Sequence, residues 1–147
     1  GIWGEPADRG EVRRRLRRLP ELGVDFGDTA DSYGPFVSED LIREALRPCD
    51  GVIVATKAGL IRTGPGEWHQ LARPEYLRMA AQMSLRRLGV ERIDLVNLRR
   101  FERDDPDRVE PDLADQLGAP AELREAGKID TTGLSSVHVD TVRTAIG

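Results

Sequence analysis

The sequence predicts an α/β fold built on parallel strands, and three observations carry that reading. Helical apolar spacing alternates with short β-branched runs in the order α-β-α-β-α-β-α-β-α. Strict alternation of this kind sets each strand parallel to the next through a helical crossover. Polar or ionisable residues close the successive strands: Asp28, Lys57, Arg99 and Ser135. Two architectures share these features, an open doubly wound sheet and part of a (β/α)8 barrel. Both put their chemistry at the C-terminal ends of the strands. No Gly-x-Gly-x-x-Gly turn follows any strand, which counts against a doubly wound dinucleotide-binding domain.

The 147 residues fit one domain, spanning 1–147. A net charge of −4 argues against nucleic acid as a partner, because phosphate binding needs a basic field. The basic runs Arg13-Arg14-Arg15 and Arg17-Arg18 lie on a helix and read as its solvated face. No apolar run approaches the ~20 residues of a membrane span and no signal peptide is visible, so a cytoplasmic location is expected, with no membrane contact. The single cysteine, Cys49, excludes an internal disulfide framework.

Residues 1–7 read as loop. Asp8 and Glu11 form a capping box for a helix carrying Val12, Leu16, Leu19 and Leu22, interrupted by Pro20 and ended by Gly23. The first strand is 24–29. Ser38 is the expected N-cap of a second helix with Leu41, Ile42, Ala45 and Leu46 inward. Residues 48–51 form a turn, and 52–56 a strand buried on both faces. A long loop follows at 58–73, of a length that is often functional. Pro74 opens the strongest helix, with Leu77, Ala81, Ser84, Leu85 and Leu88 inward and Gly89 as its stop. Residues 93–98 form the third strand, 99–111 a polar loop, and 112–126 a helix interrupted by Pro120. The fourth strand is 129–134, and 139–146 begins a last helix.

Asp28, Tyr33 and Lys57 admit a chemical reading. A phenol with pKa about 10 is a poor acid near neutrality, but an adjacent ammonium favours its ionised form. A carboxylate beside the lysine keeps that ammonium charged and fixed, and the tuned phenol can protonate a carbonyl oxygen. The same residues also read as a loop cap, a packing ring and a solvated strand end.

Four segments resemble the aldo-keto reductase family. They are Gly23-Val-Asp-Phe-Gly-Asp-Thr-Ala-Asp-Ser-Tyr-Gly34, Val54-Ala-Thr-Lys-Ala-Gly59, Leu85-Arg-Arg-Leu-Gly-Val-Glu-Arg-Ile-Asp-Leu95, and Gly127-Lys-Ile followed by Gly133-Leu-Ser-Ser136. The resemblance runs from about residue 8 to the end of the chain. It implies a partial (β/α)8 TIM barrel that transfers hydride from NADPH to a small aldehyde or ketone. By position it makes Tyr33 the general acid, Lys57 the residue that tunes it, and Asp28 the partner of Lys57 beside the cofactor. It places Ser135 and Ser136 at the nicotinamide carboxamide, Ser136 standing where Asn is common. Trp68 reads either as a cover over the substrate mouth or as a loop anchor.

The chain departs from the family pattern at Arg99, which stands where the family carries a catalytic histidine. Arginine is always charged and accepts no hydrogen bond. Arg99 could polarise a carbonyl, pull Asp28 from Lys57, or hold Tyr33 as phenolate. His69 and His138 read as surface residues. Gly27, Pro20, Pro120, Asp130 and the Thr131-Thr132 pair also sit oddly in their elements. Four strands stand against the family's eight, without the segment that grips the adenosine 2′-phosphate. A half barrel exposes strand edges and apolar surface. That points to a fragment of a longer product, or to self-association or a partner that completes the barrel. These departures also fit a catalytically impaired scaffold or binding subunit.

Overall fold

A computed structural model describes residues 2–47, 51–102 and 112–146. The elements begin with α1 (Arg9–Arg17), β1 (Phe26–Asp28), α2 (Val37–Leu46) and β2 (Ile53–Ala58). A hairpin of β3 (Leu60–Gly64) and β4 (Glu67–Gln70) follows, then α3 (Pro74–Leu88) and β5 (Ile93–Arg99). The chain continues through α4 (Leu113–Glu125), β6 (Ile129–Ser135) and α5 (Val139–Ile146).

Four strands form one parallel sheet in the order β1-β2-β5-β6. Each new parallel strand adds to the same edge. A doubly wound sheet would reverse direction at a switch point, so this order belongs to an arc of a barrel. The expected partial barrel with parallel strands is therefore the architecture found.

Register decides which residues share a face. Asp28 pairs with Ala55, Lys57 with Asn97, and Arg99 with Ser135. Side chains alternate along a strand, so Asp28, Lys57, Asn97, Arg99 and Ser135 all belong to one face. The intervening residues Val54 and Val96 pack under the helices with Ile42, Leu85, Leu88 and Leu123. A second cluster joins Ala58 and Leu98 to Leu77, Ala80 and Ala119. Each such Leu or Val buried from water contributes roughly 1.5–3 kcal/mol, which fixes the sheet against its helices and aims the opposite face at the site. On that opposite face Phe26 and Ile53 are 46% and 49% exposed.

Several elements depart from the sequence reading. α1 stops at Arg17, and Pro20 begins a separate 3-10 turn, Pro20–Leu22, where its missing N–H costs nothing. Half of the expected capping box forms, with Glu11 N donating to Asp8 Oδ1 at 2.8 Å. α2 is preceded by Phe36 in a left-handed conformation at φ 70°, not capped by Ser38. The Arg87 guanidinium lies 4.3 Å from the centre of the Phe36 ring, a cation–π contact that holds this entry. Pro120 stays within α4 and is buried. β6 carries Asp130 and Thr131 exposed, so it is not a strand buried on both faces. Residues 48–50 of the expected turn, with Cys49, and most of the 99–111 loop lie outside the described residues.

The largest departure is the segment expected as a 58–73 loop, which is the β3–β4 hairpin. One of its cross-strand pairs is Arg62 and Trp68. Arg62 lies 5.3 Å from the ring centres of both Trp3 and Trp68, and donates to the Ile2 carbonyl at 2.6 Å. Trp3 and Trp68 meet edge to face with centroids 6.5 Å apart. Stacked rings and a guanidinium thus fasten the hairpin to the N-terminal segment.

Candidate active site

β1 and β2 bring the expected trio together. Thr29 N donates to the Ala55 carbonyl at 2.8 Å, and Asp31 N to the Lys57 carbonyl at 3.2 Å. The loop after β1 is thereby stitched to the end of β2. Lys57 is 8% exposed and donates to Asp28 Oδ2 at 2.5 Å and to the Thr29 carbonyl at 3.0 Å. A buried ammonium needs such partners to offset its lost hydration. Its Nζ lies 5.3 Å from the centre of the Tyr33 ring. Tyr33 is half-buried and fixed by its backbone, its N–H donating to Ala30 and its carbonyl accepting from Ser38.

Arg99 ends β5. Its carbonyl accepts from Gln70 Nε2 at 2.9 Å, and Gly59 approaches so closely that a Cβ there would lie 2.5 Å from that oxygen. With φ at +116°, Gly59 is confined to glycine on both counts. The Arg99 guanidinium lies 5.9 Å from the centre of Trp68 and 5.8 Å from that of Phe101. Its Nε and Nη1 are buried and make no hydrogen bond among the described residues. Asp28 stays with Lys57, so Arg99 does not pull it away. Trp68 thus anchors the hairpin, through Trp3 and Arg62, and also lies beside Arg99.

Ser135 shares the inner face with Arg99, and its carbonyl accepts from Arg100 N at 3.2 Å. Ser136 is exposed in a turn at φ 59°. Asn97 reaches over Gly133, its Oδ1 filling the space where a Cβ would stand. His69 lies on the hairpin with Nε2 2.9 Å from Thr63 Oγ1, and His138 N donates to Glu102 at 2.6 Å. Among the described residues no helix is long and apolar enough to cross a membrane.

Sequence reasoning passed over Asp31 and Glu39. Asp31 is 2% exposed beside the trio, and Tyr76 donates to its Oδ2 at 3.4 Å. Burial, then the charge of Glu39, push its carboxyl up to about 7. Glu39 is fully buried, paired with Arg87 at 2.5 Å and accepting from Thr56 at 2.7 Å. A cavity of about 580 Å³ is lined by Asp31, Phe36 and residues of α2 and α3, Tyr76, Met79, Met83 and Arg86 among them. The extra acid in the Asp28-Thr-Ala-Asp31 run was the available signal for Asp31. Glu39, three residues after a left-handed Phe36, gave none.

The model of the aldo/keto reductase family matches residues 1–146. This chain belongs to the aldo/keto reductase family. An uncharacterized oxidoreductase of Schizosaccharomyces pombe is 50% identical over 145 residues, covering 99% of this chain and 45% of that protein. The holo form of an aldo-keto reductase from Bacillus halodurans has a TM-score of 0.82 at 30% identity, over 99% of this chain and 48% of that one. An aldo-keto reductase from Klebsiella pneumoniae, solved with NADPH, shares the fold at 23% identity and a TM-score of 0.76, over 97% of this chain and 45% of that one. The chain spans about half the length of the relatives it matches.

Proposed function

We propose that this chain carries the proton-transfer half of an oxidoreductase that reduces an aldehyde or ketone, with Tyr33 as general acid. The observation that carries the reading is the Asp28–Lys57 pair at 2.5 Å with Tyr33 beside it, at the ends of adjacent parallel strands. Asp28 and the Thr29 carbonyl hold the ammonium in place. The ammonium stabilises the phenolate that forms when Tyr33 gives its proton to the carbonyl oxygen. Lys57 itself is 8% exposed, which strengthens its attraction for the phenolate.

NADPH is the cofactor this reading calls for, and when bound it supplies the hydride. The residues present fit it: Ser135 stands on the inner face two strands from Lys57, in register with Arg99. Among the described residues its hydroxyl has no hydrogen-bond partner, which suits it to a carboxamide. Ser136 would lie beside it and Asp28 at the reacting end. The whole protein's substrate is a small carbonyl compound. A second reading, a catalytically impaired scaffold or binding subunit, draws on one observation: Arg99 occupies the histidine position and accepts no proton.

The test is carbonyl reduction by the protein carrying this chain, followed as NADPH oxidation over a panel of aldehydes and ketones. Tyr33→Phe is expected to lower kcat by about 10²–10⁴-fold. Turnover unchanged in Tyr33→Phe would remove the proton-donor assignment and leave the scaffold reading.

A further inference from the structure

We propose that Arg99 is an anion-recognition residue and that the substrate is a carbonyl acid, an aldehyde or ketone bearing a carboxylate a few bonds from its carbonyl. This rests on the reductase reading above. Arg99 carries buried Nε and Nη1 donors that no acceptor satisfies. Buried charges are ordinarily paired, and donors left unmade at a charged group are costly. Among the described residues, Asp28 and Glu102 at this end of the sheet are already engaged. Asp28 holds Lys57 at 2.5 Å. Glu102 holds Arg100 at 2.8 Å, the His138 N–H at 2.6 Å and the Thr141 hydroxyl at 2.8 Å. The unmet partner of Arg99 must come from outside the described residues.

The surroundings of Arg99 suit an incoming anion. Gly59 and Gln70 fix its backbone. Trp68 and Phe101 flank the guanidinium with apolar rings, which thins its hydration and raises its attraction for an anion. Phe101 itself is held at φ 52°, a conformation that side chains rarely adopt and that persists where the surroundings impose it. Lys57 pairs with Asn97 on the neighbouring strand, and Arg99 lies two residues further along. Strand spacing and rise put the two Cα atoms roughly 8 Å apart on one face. A substrate whose carbonyl faces Tyr33 and Lys57 can therefore set a carboxylate against Arg99 only when the two groups are close. Arginine's planar donors match a carboxylate. A phosphate of the cofactor offers the same chemistry, so the test must separate the two.

Trp68 reports on the site directly. In this chain with Trp3→Phe, which leaves one indole, tryptophan fluorescence is titrated with pyruvate, with acetone as the uncharged ketone, and with inorganic phosphate. Pyruvate is expected to give a saturable change, at least tenfold weaker in Arg99→Gln and weakened less in Arg99→Lys, with none for acetone. An equal pyruvate response in Arg99→Gln, no pyruvate response, or a phosphate response without a pyruvate response would each overturn the proposal. Tyr33→Phe separates the two readings. Pyruvate binding is expected to persist in Tyr33→Phe, weakened less than in Arg99→Gln. If carbonyl-acid turnover is unchanged there, the reductase reading fails while the anion site stands.

Discussion

Asp31 shows how one buried carboxyl couples the site to pH. Its carboxyl is pushed from 3.8 up to about 7, first by burial and then by Glu39, against Arg87 and the Tyr76 hydroxyl. The folded protein thus keeps a proton that the unfolded chain releases. Its contribution to stability is present below about pH 4 and is lost as pH rises toward 7. Tyr76, its hydrogen-bond donor, is pushed upward too, by burial and then by Asp31. Asp31→Asn is expected to remove a downward slope of a few kcal/mol in stability between about pH 4 and about pH 7. Urea unfolding of both proteins across that range checks it; parallel stability curves would contradict the assignment.

At the scale of elements, α2 and α3 are tied by an ion pair rather than by packing alone. Glu39 on α2 and Arg87 on α3 meet at 2.5 Å, and Thr56 of β2 completes the carboxylate's partners. Removing one member of a buried pair strands the other, at a cost of about 3–5 kcal/mol. Arg87→Met is therefore expected to destabilise by that amount, and Glu39→Leu with Arg87→Met to recover most of it. A denaturation cycle in which the double variant is no better than the single one would contradict the pairing. Nothing in the sequence marked Glu39 as buried, because the position of an acid in a helix says nothing of its depth. The sequence showed β2, α3 and β5 clearly, since apolar periodicity and the Pro74 and Gly89 punctuation agree there. It hid the β3–β4 hairpin, whose Arg62–Trp68 pair is a contact with Trp3 some sixty positions away. It also placed α2 behind Ser38, while the tertiary contact of Phe36 with Arg87 decides where that helix begins.

At the scale of the molecule, one face of the sheet is packed and the other is open. Val54 and Val96 lie under helices, while Phe26 and Ile53 alternate with the site residues on the other side. Exposed apolar surface of this kind favours association. As these 147 residues alone, the chain is expected to self-associate or to seat a complementary surface. Sedimentation returning a compact monomer at all concentrations would contradict that. The strand order and the register are what turn the motif residues into a site. Asp28, Lys57, Arg99 and Ser135 were legible as strand-end residues. That Asp28 remains with Lys57, while Arg99 Nε and Nη1 find no partner among the described residues, needed side-chain geometry, because several pairings were open to the same charges and hydroxyl. The most direct measurement is a double-mutant cycle on carbonyl reduction with Tyr33→Phe and Lys57→Met in the protein carrying this chain. If the ammonium acts through the phenol, each single variant loses about as much as the double, since residues acting as a unit are strongly non-additive. Independent, multiplying losses would contradict the coupled Asp28–Lys57–Tyr33 site.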